Sequence, residues 1–362
     1  MNLGFLKFNN VNNDRGVSAL LVTFLVLLLL GFVSLGIDVG YLYVVRNELQ
    51  NIADASALAA TRELGHIYEG LSYEEQQNYD CTSDEATIKQ AAKEVAAKNQ
   101  AGGEKPITLN DNDIIIGQWN GKTRTFTPTT NQPDAVRVIA RRDDVANGPV
   151  TTFFARIMGK DTIGVSAKAT AALTGQSTAG EGDLPIPAAI SSSRFQSEFC
   201  NGPITFYPTG SSCAGWHTYT DSPANANKLR NILKKLKAGT FQSPPVKVGE
   251  TAFYFTGGTV ASAFDDMKAL FDAMKVKNDG VLDHDNDPNT WTTTVAVYDL
   301  NDCSNPHGEI TIVGFSEVTI TGVLTAPQKQ ILASIKCNFV TPDSRGGGEY
   351  FGTKGSIPGL VE

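Results

Sequence analysis

Residues 15–64, RGVSALLVTFLVLLLLGFVSLGIDVGYLYVVRNELQNIADASALAATREL, decide the reading of the whole chain. Val17 to Ile37 is an uncharged run of 21 residues, 15 of them Leu, Ile, Val or Phe. At about 1.5 Å of helical rise per residue it reaches roughly 31 Å, the thickness of a bilayer's hydrocarbon core. A membrane-spanning helix is therefore expected over 17–37, with a buried soluble helix as the alternative. A cleaved signal peptide is the other alternative, because Lys7 and Arg15 precede the run. Such apolar regions are shorter and end at small residues, whereas this one passes into Asp38, Val39, Gly40 and Tyr41, so retention as an anchor is favoured. Beyond the span, Leu42, Val45, Leu49, Ile52 and Ala59 recur at helical spacing while Arg46, Asn47, Gln50, Asn51, Asp54 and Arg62 take the other faces. The expected result is one helix that leaves the membrane and continues over 38–65 as an amphipathic stalk.

Gly31, Ser34, Gly36 and Gly40 are small enough to let a neighbouring helix approach closely in lipid, and Leu42, Val45, Leu49 and Ile52 form a seam. That seam can pack on another subunit or on a sheet of its own chain. Lys and Arg stay on the cytoplasmic side of a span. Lys7 and Arg15 lie before it and the first base after it is Arg46, which orients residues 1–16 to the cytoplasm and the body outside it.

The order Arg15-Gly16, apolar span, Gly36-Ile37-Asp38-Val39-Gly40, Arg46, then Leu49-Gln50-Asn51-Ile52-Ala53-Asp54-Ala55-Ser56-Ala57-Leu58-Ala59-Ala60 resembles the amino-terminal domain of TadG-like proteins of the Flp (tight adherence) pilus-assembly system. The match is close over about 50 residues and looser from Ala135 to Leu173. It implies a role in assembly or surface anchoring of an Flp-type pilus at the inner membrane, with other pilus-assembly or pilin-like subunits as partners. Two departures stand out. Prepilin processing in related pilins looks for Glu five residues after Gly, where this chain has Leu21 after Gly16. The D-x-S-x-S loop of a von Willebrand A-type domain is missing, its nearest approach being Asp54-Ala55-Ser56-Ala57-Leu58.

The 362 residues leave about 300 outside the anchor, enough for two domains. With 41% hydrophobic and 19% charged residues the chain is an ordered protein. Its 38 acidic against 30 basic residues, net −8, argue against binding nucleic acid. The fold class expected is α+β throughout: a pilin-like antiparallel sheet domain over 66–174, a linker at 175–183 (GQSTAGEGD), and a second α+β domain with an antiparallel sheet over 184–362. In the first, His66 to Asp80 reads as a loop and Thr82-Ser83-Asp84-Glu85 as a capping box opening a helix. Asp113–Trp119, Asn120-Gly121 and Lys122–Phe126 read as a hairpin with a two-residue turn, and Thr151–Met158 as a short helix stopped by Gly159. In the second, helices are expected on Leu229, Ile232, Leu233 and Leu236, and on Val260, Phe264, Met267, Phe271 and Met274. Strands are expected at 290–298, 309–315, 318–324 and 331–340.

Outside the cytoplasm thiols oxidise. Cys200 and Cys213 bracket a short turn-rich segment, so they are paired here, which stabilises by about 3 kcal/mol on the chain-entropy model. Cys303 then pairs with Cys337, and Cys81 is left as a free thiol at a loop end or an intermolecular bond.

Asp283, Asp285 and Asp287 alternate as the first ligands of a calcium loop would, but Pro288 and Thr294 stand where an EF-hand needs Gly and Glu, leaving a looser calcium site or a solvated acidic turn. Ser212 lies close to His217 in sequence, without a G-x-S-x-G elbow. The glycines of 255–259 and 345–348 suit an anion-binding turn or a plain one. The main expectation is a non-enzymatic, membrane-anchored scaffold. The competing one is a tethered ligand-binding, calcium-dependent or catalytic ectodomain at 184–362.

Overall fold

The computed structural model describes residues 14–195, 203–206, 213–277 and 287–362. Helix α1 (Asp14–Glu69) runs unbroken for 56 residues. Val45, Leu49, Ile52, Ala53, Ala57, Ala60, Leu64 and Tyr68, spaced three and four apart, are all buried. The alanines in that row let the backbone come close to a sheet. Gly70 follows, and the stretch expected as a loop instead holds α2 (Tyr73–Gln77). A capping box opens it: Glu75 N–H donates to Ser72 Oγ while Ser72 N–H donates to the Glu75 carboxylate at 2.8 Å. The box expected at residues 82–85 does not form. Asp80 caps a 3₁₀ turn there, and α3 (Glu85–Ala97) begins behind Asp84 without a side-chain cap.

Strands β1 (Ile114–Asn120), β2 (Thr125–Pro128), β3 (Ala135–Arg142) and β4 (Val165–Ala172) form an antiparallel sheet in the order β4-β3-β1-β2. The alternation of side chains puts Ile114, Ile116, Val136, Val138, Ala140, Ala167, Ala169 and Ala171 on one face, where they meet α1 and α3 in a single core. The expected hairpin exists, but its connection is four residues, Gly121–Arg124. Asn120 pairs with Thr125 inside the ladder and its side chain accepts the N–H groups of Lys122 and Thr123, so the turn is closed from the strand end.

The second core surrounds β5 (Ala188–Ser191), β6 (Pro203–Phe206), β7 (Ala214–Trp216), β8 (Ala252–Thr256), β9 (Trp291–Tyr298), β10 (His307–Leu324) and β11 (Gln330–Lys336). Their order is β7-β5-β9-β10-β11-β6, with β8 on the first half of β10; only β5 and β9 run parallel. The two strands expected at 309–315 and 318–324 are one, because Ser316 and Glu317 keep pairing with Val295 and Thr294. Helix α5 (Ala263–Lys277) packs on β9 and β10, and α4 (Ala226–Ala238) on α5. All four apolar residues expected inward on α4 are buried, and Gly239 ends it in the left-handed conformation.

The two cores are knitted together. Strands β12 (Phe339–Arg345) and β13 (Thr353–Ile357) lie against α1, and β14 (Gly359–Leu360) adds to the outer edge of β4. Val340 N–H donates to the buried Gln76 side chain at 2.9 Å, and Arg62 donates to the Ser356 carbonyl at 3.0 Å. A Cβ at Gly65 would fall on that carbonyl oxygen, so glycine is what allows the crossing. The Gly175–Asp183 stretch is tied at its start. Gly348 N–H donates to Gly175 O and Ser177 N–H to Arg345 O, both at 2.8 Å.

Candidate functional site

Among the described residues, the apolar run of α1 up to Ile37 has no partner within the chain. Leu20 to Leu30, Phe32, Val33, Leu35 and Ile37 are exposed on every side, and the helix is long and apolar enough to cross a membrane. Gly31, Gly36 and Gly40 have nothing within 4 Å of an added Cβ, and Ser34 Oγ donates to Leu30 O at 2.6 Å. These four residues therefore stand on open helix surface. The seam divides differently: Val45, Leu49 and Ile52 sit in the helix-on-sheet core and Leu42 is half-buried against it. Of the two packing partners considered for them, the chain uses its own.

At the boundary between the two halves sits Asp38, the first residue beyond the apolar run. Its carboxylate accepts the backbone N–H groups of Phe153 at 2.7 Å, Phe154 at 3.0 Å and Ala155 at 2.6 Å. Burial pulls its pKa up, but the three N–H donors and the charge of Arg156 prevail and hold it below the usual carboxylate range. The carboxylate thereby caps the 3₁₀ turn Ala155–Met158, the short remnant of the helix expected at 151–158, which Gly159 ends at φ 80°. Phe153 packs edge-on against Tyr41, with ring centroids 5.2 Å apart. Tyr41 in turn donates to the Gly102 carbonyl, which also receives Arg142. The two halves of α1, two loops and the end of β3 thus meet at one place. The role of Asp38 escaped the sequence reading, although a carboxylate one residue past a membrane span is itself a signal that a partner exists.

The residues singled out for chemistry are scattered. His217 lies in the second core, 1% exposed, between Tyr219 and Phe253, each 4.6 Å away by ring centroid. Burial pushes its pKa down to about 3, and Nδ1 accepts the Tyr219 N–H, so it is a neutral packing group. Ser212 lies outside the described residues, as do Asp283 and Asp285 of the calcium set. Asp287 is described: its carboxylate accepts the Asn289 N–H at 2.9 Å and closes a turn. Gly257 and Gly258 take positive φ six and five residues before α5 begins, and so form a turn away from the helix end. Gly346 and Gly348 serve close backbone packing against residues 174–176.

The disulfide assignment is corrected. Cys213 bonds to Cys303, with Cα atoms 4.2 Å apart. Cys337 is disulfide-bonded too, so Cys303 is not its partner; Cys200 lies outside the described residues. Pairing by nearness in sequence failed because strand order brings the ends of β7 and β9 to either side of β5. There Ser191 N–H donates to Cys213 O at 2.7 Å and Ser191 Oγ bonds Leu300 O and Asp302 O at 2.9 Å. A crosslink across 90 residues stabilises by about 4–5 kcal/mol on the chain-entropy model. Cys81 is free and fully buried in the first core, where desolvation lifts its pKa to about 11; an intermolecular bond would require that core to open.

A groove of about 930 Å³ runs between the β1–β2 hairpin and the returning carboxy-terminal segment, lined by Trp119, Lys122, Phe195, Tyr350 and Lys354 among others. At its floor Lys354 meets Asp134 at 2.7 Å, and Asp134 also accepts the Trp119 N–H at 2.7 Å. Burial lowers the Lys354 pKa, but the carboxylate outweighs it and holds the lysine above its ordinary value. Both charges are spoken for, so the pair reads as a clasp between the two cores.

An α+β body is carried on one end of a long helix whose other end is apolar all round, an arrangement compatible with a single-pass membrane anchor. Residues 16–63 match a family model described as putative Flp pilus-assembly TadE/G-like, and residues 76–171 match one described as putative Tad-like Flp pilus-assembly. Over these residues the chain is similar to TadE/G-like and Tad-like Flp pilus-assembly proteins, as the resemblance in α1 implied, and both matches end before the second core. No curated protein and no solved structure matches the chain.

Proposed function

We propose that this protein is a non-enzymatic, single-pass component of Flp/Tad-type pilus assembly or surface anchoring, with residues 17–37 in the inner membrane and the body outside the cytoplasm. One observation carries the reading. The helix that is unpartnered and apolar before Asp38 becomes, without a break, the central rib of the family-matched domain after it. That continuity favours retention over cleavage, since the anchor and the fold are the same element. Gly36 and Gly40, four residues apart, share a face turned about 180° from Asp38, so a neighbouring helix can approach there without displacing the loop that Asp38 holds. The protein would then act by lateral packing in the bilayer and by contacts of its body with other pilus-assembly subunits. His217, the base a hydrolase reading would need, is buried and neutral, which favours a scaffold over a hydrolase.

Fractionation of sheared cells carrying a carboxy-terminal tag, with determination of the amino terminus of the recovered chain, tests the reading. An intact chain in the inner-membrane fraction, whose loss abolishes filaments, supports an assembly or anchoring factor. A processed chain within filaments would make it a minor pilin despite Leu21. Recovery as a soluble species, with filaments unaffected by its deletion, would overturn the proposal.

A further inference from the structure

Past Val44, nine large apolar side chains stand exposed among the described residues, and four of them fall within six positions: Phe153, Phe154, Ile157 and Met158. Ile157 and Met158 are 82% and 83% exposed, more than any large apolar side chain in the first half of α1. Chance scatter does not explain their place, because this turn is the one held by Asp38. The loop is also firmly closed. Thr152 donates through Oγ1 to Lys160 O at 2.6 Å and through N–H to Asp161 O at 3.0 Å, and Val150–Thr151 pairs with Thr162–Ile163. Its apolar side chains are therefore presented by a fixed scaffold, not shed by a loose one.

The height of the loop relative to a bilayer follows from α1. A continuous helix has no hinge, so where its apolar run stops at Ile37 the hydrocarbon core stops, and Asp38 enters the headgroup layer, about 5–8 Å thick. The backbone of Phe153, Phe154 and Ala155 is hydrogen-bonded to that carboxylate, which sets the loop at the same level. Aromatic rings, apolar side chains and flanking bases are the residues that occupy this layer, reaching about 5–10 Å toward the acyl chains. Arg156 and Lys160, both exposed, lie within and just after the turn, with Asp161 next in sequence.

We propose that the turn Phe153–Met158 is a second membrane contact, dipping into the leaflet that α1 leaves on the side of the body, with Arg156 and Lys160 among the lipid phosphates. It rests on the anchoring reading above. The pair of contacts, one helix and one loop clamped to it by Asp38, fixes how far the body stands from the membrane and which way it faces, which a lone helix free to tilt and turn does not.

The test uses the full chain in vesicles of phosphatidylethanolamine and phosphatidylglycerol, with Met158→Trp and, separately, Val33→Trp, each read against the parent's own tryptophans. Lipids brominated near the headgroup or deep in the acyl chain serve as quenchers. The expected result is that the added emission at 158 shifts to shorter wavelength and is lost with the shallow quencher, while that at 33 is lost with the deep one. Quenching at 33 with none at 158 overturns the loop contact and leaves the anchor standing. Emission at 158 that is blue-shifted yet unquenched places protein over the loop and also overturns it. Absence of quenching at both positions removes the anchor itself. Both side chains replaced are exposed, so an unchanged melting temperature of the variants confirms that the fold is intact.

Discussion

The two halves of α1 are one helix with two opposite solutions to the same problem. From Ser18 to Ile37 apolar residues face every direction and no described part of the chain covers them. From Val45 to Tyr68 they form a single stripe, thinned by alanines, and the cover is complete. A stripe can be satisfied by one sheet; a cylinder of Leu, Val and Phe needs apolar surroundings on all sides. The difference marks where the protein's own packing ends, with Asp38 just past the apolar run; in the proposed function lipid or neighbouring helices cover what lies before it.

The widest separation between the halves is expected from truncations of matched size. Leu49→Ala removes fully buried atoms and costs about 2–5 kcal/mol, while Leu27→Ala, on the exposed half, changes the stability of the body by less than about 0.5 kcal/mol. Thermal melts of the detergent-solubilised chain compare them, and equal losses would erase the distinction. Next in size is Gly65→Ala, which sets a methyl on the Ser356 carbonyl and is expected to cost about 1–3 kcal/mol by forcing α1 and β13 apart. A neutral outcome would mean that the carboxy-terminal segment is not fastened to the helix.

Smaller effects come from the carboxylates at either end of the stalk. Glu69 joins Arg62 at 2.8 Å, His66 at 3.0 Å and the Asp343 N–H. Burial raises its pKa, but the hydrogen bonds from Ser356, Arg62, Asp343 and His66 win and bring it from 4.5 down to about 2. A depressed carboxylate stabilises the fold above its unfolded pKa, and that contribution fades as pH falls from about 4.5 to about 2. Glu69→Gln is therefore expected to lower stability at neutral pH and to flatten its decline across that acid window in a pH series of melts. Asp38 shifts in the same direction, so acidification through and below the ordinary carboxylate range loosens its hold on the loop. Asp38→Asn is expected to speed hydrogen exchange at Phe153, Phe154 and Ala155 with little change in the global melt.

How far these features were legible from the sequence depended on how local their causes are. The stripe on α1 and the four inward residues of α4 declare themselves through periodicity, which needs no knowledge of partners. The clasp of Val340 on Gln76 and the return of Gly359–Leu360 to β4 join residues about 190 or more apart, and no period records them. The Cys213–Cys303 bond likewise follows from strand order rather than spacing. Gly31, Gly36 and Gly40 stand on open helix surface, so the approach of a neighbouring helix expected there leaves no contact among the described residues to read. At the loop 153–158, helical spacing was misleading: the apolar residues there face outward, and only the Asp38 contact shows why.

The most direct measurement is labelling of native membranes with a diazirine probe that partitions into the acyl chains, mapped along the chain by mass spectrometry. Label is expected throughout residues 18–37 and absent from 45–68. Label that continues along the stalk, or a protected 18–37 segment in membranes that hold the intact chain, would contradict the division of α1 into a half that needs the bilayer and a half that the protein itself enfolds.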